Sequence, residues 1–282
     1  MNKVDLHVHT TASDGKFTPA EIVRKAREAG LLYLGICDHD SIEGIACAHE
    51  AAAKNPGFTV INGVEINTDI PAGELHILGY FYDRNNLELK QTLERLRNSR
   101  IERAQKMINK LRKMGLKIDF LRVEELAGNG AIGRPHIAQA MLEKGYINSF
   151  REAFMKYINR GGPAYVERDK ITPIEAIQLI VRAGGLPVLA HPMTFDNLET
   201  TVAELKVAGL VGIEVYYNNY SHEQISNLLQ IADKFSLIPT GGSDYHGLES
   251  MNEPSLGTVE VPLESAERLI ALNRQNTALG TN

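Results

Sequence analysis

The chain has 282 residues, 43% of them hydrophobic and 23% charged, with a formal net charge of -5. That composition suits one large globular domain or a barrel with an insertion, and a net acidic field disfavours wrapping long duplex nucleic acid. Two cysteines, Cys37 and Cys47, cannot build a disulfide framework and point to a reducing compartment. No apolar leader follows Met1, and no apolar run approaches the roughly 18 residues of a membrane span. The expected location is therefore cytoplasmic, with no membrane partner.

The first expected strand, Val4 to Val8, runs into Asp5-Leu6-His7-Val8-His9. Residues two apart on a strand share a face, so His7 and His9 converge, as ligands of a divalent cation do. Asp14 follows in a loop, Thr10 to Gly15. Thr18-Pro19-Ala20-Glu21 then fits an N-cap threonine, a proline at N1 and a glutamate at N3, opening a helix that ends near Gly30. Leu31 to Cys37 is a near-continuous apolar run, expected for a strand buried on both faces. It leads into Cys37-Asp38-His39-Asp40. Asp38 and Asp40 could orient ligands from behind, although Asp40-Ser41-Ile42-Glu43 fits a capping box equally well. Further strands are expected over Phe58 to Ile66, carrying Glu65, and over Leu75 to Phe81, which begins near His76.

From about Asn86 to Arg160 the pattern is helical. Between Arg95 and Arg122 this segment holds ten Lys or Arg against Glu102 and Asp119, a balance of +8 that leaves -13 elsewhere. Arg103, Lys106, Lys110 and Lys113 fall at helical spacing as one basic stripe. The segment reads as an insertion, residues 86–160, in a barrel made of residues 1–85 and 161–282. A second capped helix starts at Thr172-Pro173-Ile174-Glu175 and ends near Gly184. Strands follow over Leu186 to Ala190, Leu210 to Tyr216, Leu237 to Thr240 and Thr258 to Val261. The first of these runs into His191-Pro192 and the third into Ser243-Asp244-Tyr245-His246.

Strand, helix, strand at these lengths implies parallel pairing in an α/β barrel or open sheet. A lone strand histidine is usually a packed residue, and His49, on an expected helix, reads that way. Five further strand ends that also offer His, Asp or Glu argue for a metal site at the C-terminal mouth, where α/β barrels build active sites.

Residues 5–15, Asp-Leu-His-Val-His-Thr-Thr-Ala-Ser-Asp-Gly, resemble the first motif of the polymerase and histidinol phosphatase (PHP) family. Cys37-Asp38-His39-Asp40, Gly63-Val64-Glu65, His191-Pro192 and Asp244-Tyr245-His246 resemble its later motifs in order. With Gly133-Arg134-Pro135-His136-Ile137-Ala138 in the insertion, the chain looks like the bacterial subgroup that dephosphorylates nucleoside 3′,5′-bisphosphates, some members of which are 5′ to 3′ exoribonucleases on short RNA. The resemblance implies a distorted (β/α)7 barrel and three divalent metals per chain, manganese favoured and iron or zinc as alternatives. It assigns one metal to His7, His9, Glu65 and Asp244. A second shares Glu65 and adds His76 and His191, and a third takes Asp14, His39 and His246.

His191 and His246 are also candidate proton donors. Ser99, Arg100 and Arg103 resemble the family's phosphate-contacting segment. Arg134 is the expected bidentate phosphate ligand, with structural pairing to an acid as its alternative, and His136 beside it is a further expected substrate contact. Tyr216, Tyr217 and Tyr220 could stack on a base, although packing is the commoner role for any one of them. The expected substrate is a small phosphorylated nucleotide or short oligonucleotide, and no protein partner is implied. The alternatives are a histidinol-phosphate-type phosphatase, which the basic insertion disfavours, and a non-catalytic metal-binding module, which the complete ligand set disfavours.

Overall fold

Seven of the eight apolar runs become strands. The computed structural model describes residues 3–53, 55–70, 73–128, 132–167, 170–194, 197–247 and 254–280. Strands β1 (Val4–Val8), β2 (Tyr33–Ile36), β3 (Thr59–Ile70), β4 (Gly73–Tyr80), β5 (Leu186–Leu189), β6 (Gly212–Tyr217) and β7 (Ile238–Gly242) lie side by side in chain order in one sheet. The sheet nearly closes on itself. Past the end of β7, Asp244 N–H donates to the His7 carbonyl at 2.8 Å, and His9 N–H donates to the Tyr245 carbonyl at 3.0 Å. All five residues of β1 are buried, as a strand inside a covered barrel must be.

Pairing is parallel from β1 to β3 and from β5 to β7, but β4 runs antiparallel to both of its neighbours. The strand–helix–strand segments pair in parallel, as expected; the exception is β4, which follows β3 with no helix between them. Only two residues separate β3 from β4, too few for a parallel crossover, so the pair forms a long hairpin. The expected strand at Thr258 to Val261 does not form. Its Val261 packs into the barrel core, while the backbone N–H of Gly257 is taken by the Asp5 carboxylate at 2.9 Å instead of by a ladder.

Helices α1 (Pro19–Glu28) and α2 (Gly44–Ala52) connect the first strands. The Thr18 capping box is formed on both sides, and Gly30 takes φ 80° beyond the helix end. Glu43, at the N-cap of α2, makes no side-chain cap. Asp40 instead accepts the Asn67 N–H at 3.2 Å, so it braces the site and not the helix. Helix α3 (Leu87–Lys113) leads out of the barrel.

Two compact units emerge: residues 1–92 with 170–282, and residues 93–169. The division falls a few residues beyond both sequence-derived boundaries, at 92/93 and 169/170. Within the second unit, α3 is followed by α4 (Phe120–Ala127), α5 (Arg134–Glu143) and α6 (Phe150–Ala153), and no strand occurs among its described residues. Its own apolar core includes Met107, Ile108, Leu111, Val123, Ile137 and Met141. Back in the barrel, α7 (Pro173–Arg182), α8 (Leu198–Ala208), α9 (His222–Lys234) and α10 (Leu263–Ala278) complete the order, with the Thr172 capping box also formed. Among the described residues no helix is long and apolar enough to cross a membrane.

Candidate metal centre

Barrel closure turns the strand-end residues toward one another. His7 on β1 and His9 just past its end are fully buried, and Glu65 is buried on β3. His39, His191, Asp244 and His246 lie just past β2, β5 and β7. Asp40, His191 and Asp244 have φ of 50°, 26° and 53°, a backbone region that non-glycine residues seldom occupy and that clusters at functional sites. His76 sits near the start of its strand yet reaches the same mouth because β4 is antiparallel. Its register partner is Asn67, two residues past Glu65.

Three overlapping groups of ligand atoms result, each within a 4.8 Å span: His7, His9, Glu65 and Asp244; His9, Asp14, His39 and His246; His39, Glu65 and His76. The two oxygens of Glu65 face different neighbours. Oε1 lies 2.7 Å from His76 Nδ1 and 3.0 Å from His191 Nε2. Oε2 lies 3.3, 3.2 and 2.9 Å from nitrogens of His7, His9 and His39. His76 and His191 are themselves 3.2 Å apart. All nine residues that the family resemblance singled out as ligands are thus brought to one place.

Residues behind this cluster fix which nitrogen faces inward. His7 Nδ1 is 3.0 Å from Oε1 of the buried Glu214, while its Nε2 faces Glu65 and Asp244. The other Glu214 oxygen accepts the His191 backbone N–H at 2.8 Å, so one carboxylate braces two histidines. Ser13 donates its hydroxyl proton to Asp38 at 2.7 Å. It can therefore only accept from His9 Nδ1, 3.4 Å away, which leaves His9 Nε2 facing Glu65 and Asp244. Asp38 also accepts the N–H and hydroxyl of Thr10, both at 2.7 Å, and so holds the loop that carries Asp14. His246 Nδ1 donates to the Asp244 carbonyl at 2.8 Å. The Asn67 amide lies 2.7 Å from His39 Nδ1, and the Tyr217 hydroxyl donates to Asp244 Oδ2 at 2.7 Å. Sequence reasoning named Asp38 and Asp40 for such support but missed Glu214, Ser13 and Asn67. Only Glu214 left a signal: one acid inside the apolar run Gly212-Ile213-Glu214-Val215, where an unpaired charge would be costly.

The electrostatics fit a cation. Burial opposes ionisation of Glu65, but the imidazoles of His39, His76 and His7 outweigh it and hold the carboxyl well below its usual range. Asp14 and Asp244 are lowered in the same way by neighbouring histidines. Burial likewise opposes charging of His246, yet Asp14 and Asp244 push it up to about 10. His7 is raised by Glu214, Asp244 and Glu65 against its burial, whereas burial lowers His76. Asp14 Oδ1, Glu65 Oε2 and Asp244 Oδ1 are buried without an aligned hydrogen bond. Ionised oxygens left in that state, ringed by imidazole nitrogens, suit divalent cations bound by mixed nitrogen and oxygen ligands.

The five expected substrate contacts all lie in the helical unit. Ser99, Arg100 and Arg103 are on α3, and Arg134 and His136 are on α5. Arg103 is 8% exposed, donates Nε to the Val166 carbonyl at 2.8 Å and lies 5.1 Å above the Tyr165 ring. Arg134 is 5.6 Å over the Phe154 ring, and the charges of Arg103 and Arg134 both reach Tyr165. The two guanidiniums therefore gather on one side of this unit. His136 Nδ1 accepts the Gly133 N–H at 3.0 Å and caps its helix, and the Ser99 hydroxyl donates to the Leu96 carbonyl at 2.8 Å. The expected basic stripe divides: Arg103 is buried, while Lys106 and Lys113 are exposed.

Residues 5–277 match the PHP domain model. The chain is 33% identical over 248 residues to a 5′-3′ exoribonuclease of Haemophilus influenzae, covering 86% of this chain and 90% of the relative. It is also 33% identical over 251 residues to a 3′,5′-nucleoside bisphosphate phosphatase of Chromobacterium violaceum, covering 87% and 88%. A solved structure from Bifidobacterium adolescentis, a proposed metal-dependent phosphoesterase, superposes with a TM-score of 0.85 at 30% identity, over 95% of each chain. With a barrel of the same fold, a matching family model and relatives that cleave phosphate esters, the chain is a metal-dependent phosphoric ester hydrolase and belongs to the PHP domain family.

Proposed function

We propose that this enzyme hydrolyses phosphate from nucleotides that carry a further phosphate, nucleoside 3′,5′-bisphosphates, and acts also from the 5′ end of short 5′-phosphorylated RNA. The observation that carries the proposal is the convergence of six imidazoles and three carboxylates at the barrel mouth, with Glu65 offering one oxygen to each of two imidazole sets. His7, His9, Glu65 and Asp244 would hold one divalent ion, Glu65, His76 and His191 a second, and Asp14, His39 and His246 a third. Manganese is favoured, with iron or zinc as alternatives. Bound there, such ions supply Lewis-acid charge that lowers the pKa of water and neutralises phosphoryl oxygens.

The chain's own residues supply position and proton placement. Glu214 and the Ser13–Asp38 pair keep His7 and His9 turned so that Nε2 faces the centre. A nitrogen that ligates a cation carries no proton. His191 and His246, the candidate proton donors to the leaving oxygen, can therefore serve in that role only while released from a ligand role. Basic side chains of the insertion, Arg134 foremost, would grip the second phosphate, since a planar guanidinium binds phosphate bidentately. The relatives that act on a nucleoside bisphosphate and on RNA 5′ ends support this reading, as does the +8 balance within residues 95–122. A panel with manganese-loaded enzyme tests it, read as released phosphate for the phosphomonoesters and as released mononucleotide for the RNA. Nucleoside 3′,5′-bisphosphate and short 5′-phosphorylated RNA should be turned over well ahead of histidinol phosphate. Preference for histidinol phosphate, or no turnover of any nucleotide, would overturn the proposal.

A further inference from the structure

Beside the metal centre, the barrel mouth carries aromatic surface that the hydrolytic chemistry does not use. β6 ends at Tyr217, and the loop into α9 brings Tyr220 against it, with ring centroids 5.2 Å apart. Tyr217 in turn packs 5.6 Å from the His191 ring. Both phenol oxygens are committed. Tyr217 donates to Asp244 at 2.7 Å, and the Tyr220 oxygen accepts the Met193 N–H at 3.2 Å. Neither hydroxyl is needed by a ligand, and each bond holds its ring in place. Both rings remain only partly covered, and Met193 beside them is 39% exposed. The Tyr217–Tyr220 spacing is that of a direct aromatic pair, so no flat group fits between them. What the pair offers is an outer ring face, two ring contacts from His191.

We infer that Tyr220, flanked by Met193, is the stacking surface for the base of the substrate and so sets a preference for base-bearing phosphate esters. The inference rests on the nucleotide reading above and adds the group that recognises the nucleoside. An aromatic face accepts any base, because stacking reads a π surface and not a hydrogen-bond pattern. The subsite should therefore favour nucleosides over abasic sugars without strong choice among bases. A ring whose hydroxyl is already anchored pays little further ordering cost when a base settles on it.

The test compares a nucleoside 3′,5′-bisphosphate with ribose 3,5-bisphosphate, which has the same phosphates and no base. Wild-type enzyme should prefer the first in kcat/KM. Tyr220→Leu should reduce that preference by on the order of tenfold, mostly through KM. Tyr220→Phe, which keeps the ring and drops the contact to Met193, should retain it. A binding measurement completes the set: a nucleoside 5′-monophosphate should bind metal-free Tyr220→Leu more weakly than metal-free Tyr220→Phe. No preference for the base in wild-type enzyme would overturn the subsite while leaving the phosphatase reading intact. An equal loss for both substrates in Tyr220→Leu would do the same, by making Tyr220 a support of the loop. Hydrolysis of ribose bisphosphate but of no nucleotide would instead overturn the functional reading itself.

Discussion

At the barrel mouth, Glu65, Asp14 and Asp244 are 1%, 19% and 20% exposed among six imidazoles, whereas the cations of the helical unit stand largely at its surface around an ordinary apolar core. Both regions are rich in charge, but they use it differently. Buried groups shift one another's pKa values and need compensation, so nearly every one at the mouth has a second residue holding it. Exposed cations such as Lys106, paired with Glu102 at 3.5 Å, are screened by water and contribute little individually. A concentrated chemistry of fixed geometry thus sits in one unit and a diffuse attraction for anions in the other. Arg103, buried and bonded to the Val166 carbonyl, is the exception that makes part of the insertion rigid.

The contrast can be broken most directly at the mouth. Asp244→Ala or His9→Ala should lower turnover by more than about a hundredfold while far-UV circular dichroism stays native. Elemental analysis should show reduced metal content in the same samples. Full activity with unchanged metal would remove that residue from the centre.

Glu214→Gln probes the bracing carboxylate, which touches His7 and the His191 backbone. Metal affinity or activity should fall about 10- to 100-fold, with the fold retained. Affinity titrations that match wild type would show that His7 is oriented without it.

In the insertion, Arg134→Ala should cost a two-phosphate substrate on the order of 1.5–3 kcal/mol in kcat/KM, roughly tenfold to a hundredfold. A generic monophosphate should lose much less. Both must be measured at one ionic strength, because exposed cations also steer anions from a distance. Equal losses would assign Arg134 to the support of its unit, where it already lies over Phe154.

A further effect concerns pH. His246, held at about 10 in the metal-free protein against about 6.5 when unfolded, contributes stability that is complete below pH 6.5 and is lost as pH rises through 10. The melting temperature of metal-free protein should decline across that window. The imidazole must shed its proton to ligate, so metal affinity should rise over the same range. A pH-independent affinity would show that no imidazole is displaced from its proton on binding.

Much of this centre was legible before any coordinates. His7-x-His9 on a strand and the recurrence of His, Asp or Glu at strand ends follow from the two-residue side-chain period and from the chain's return, element after element, to one face of a barrel. The threonine caps at Thr18 and Thr172 were equally readable, because a cap is made by residues three apart. The antiparallel β4, the missing strand at Thr258 to Val261 and the unit boundaries were not readable, since each depends on pairing between distant segments.

The support layer separates in the same way. Asp38 was visible as a neighbour of His39, but its grip on Thr10 and Ser13 spans 28 and 25 residues. Glu214 reaches His7 across 207. The amino-acid sequence by itself marked which side chains could ligate a cation and which strands present them, because residue identity and local periodicity are properties of short stretches. Only the tertiary structure decided that these side chains meet within hydrogen-bond distance and which of their nitrogens face inward. Barrel closure sets those distances, and His7 is oriented by Glu214, a partner that sequence proximity does not reveal.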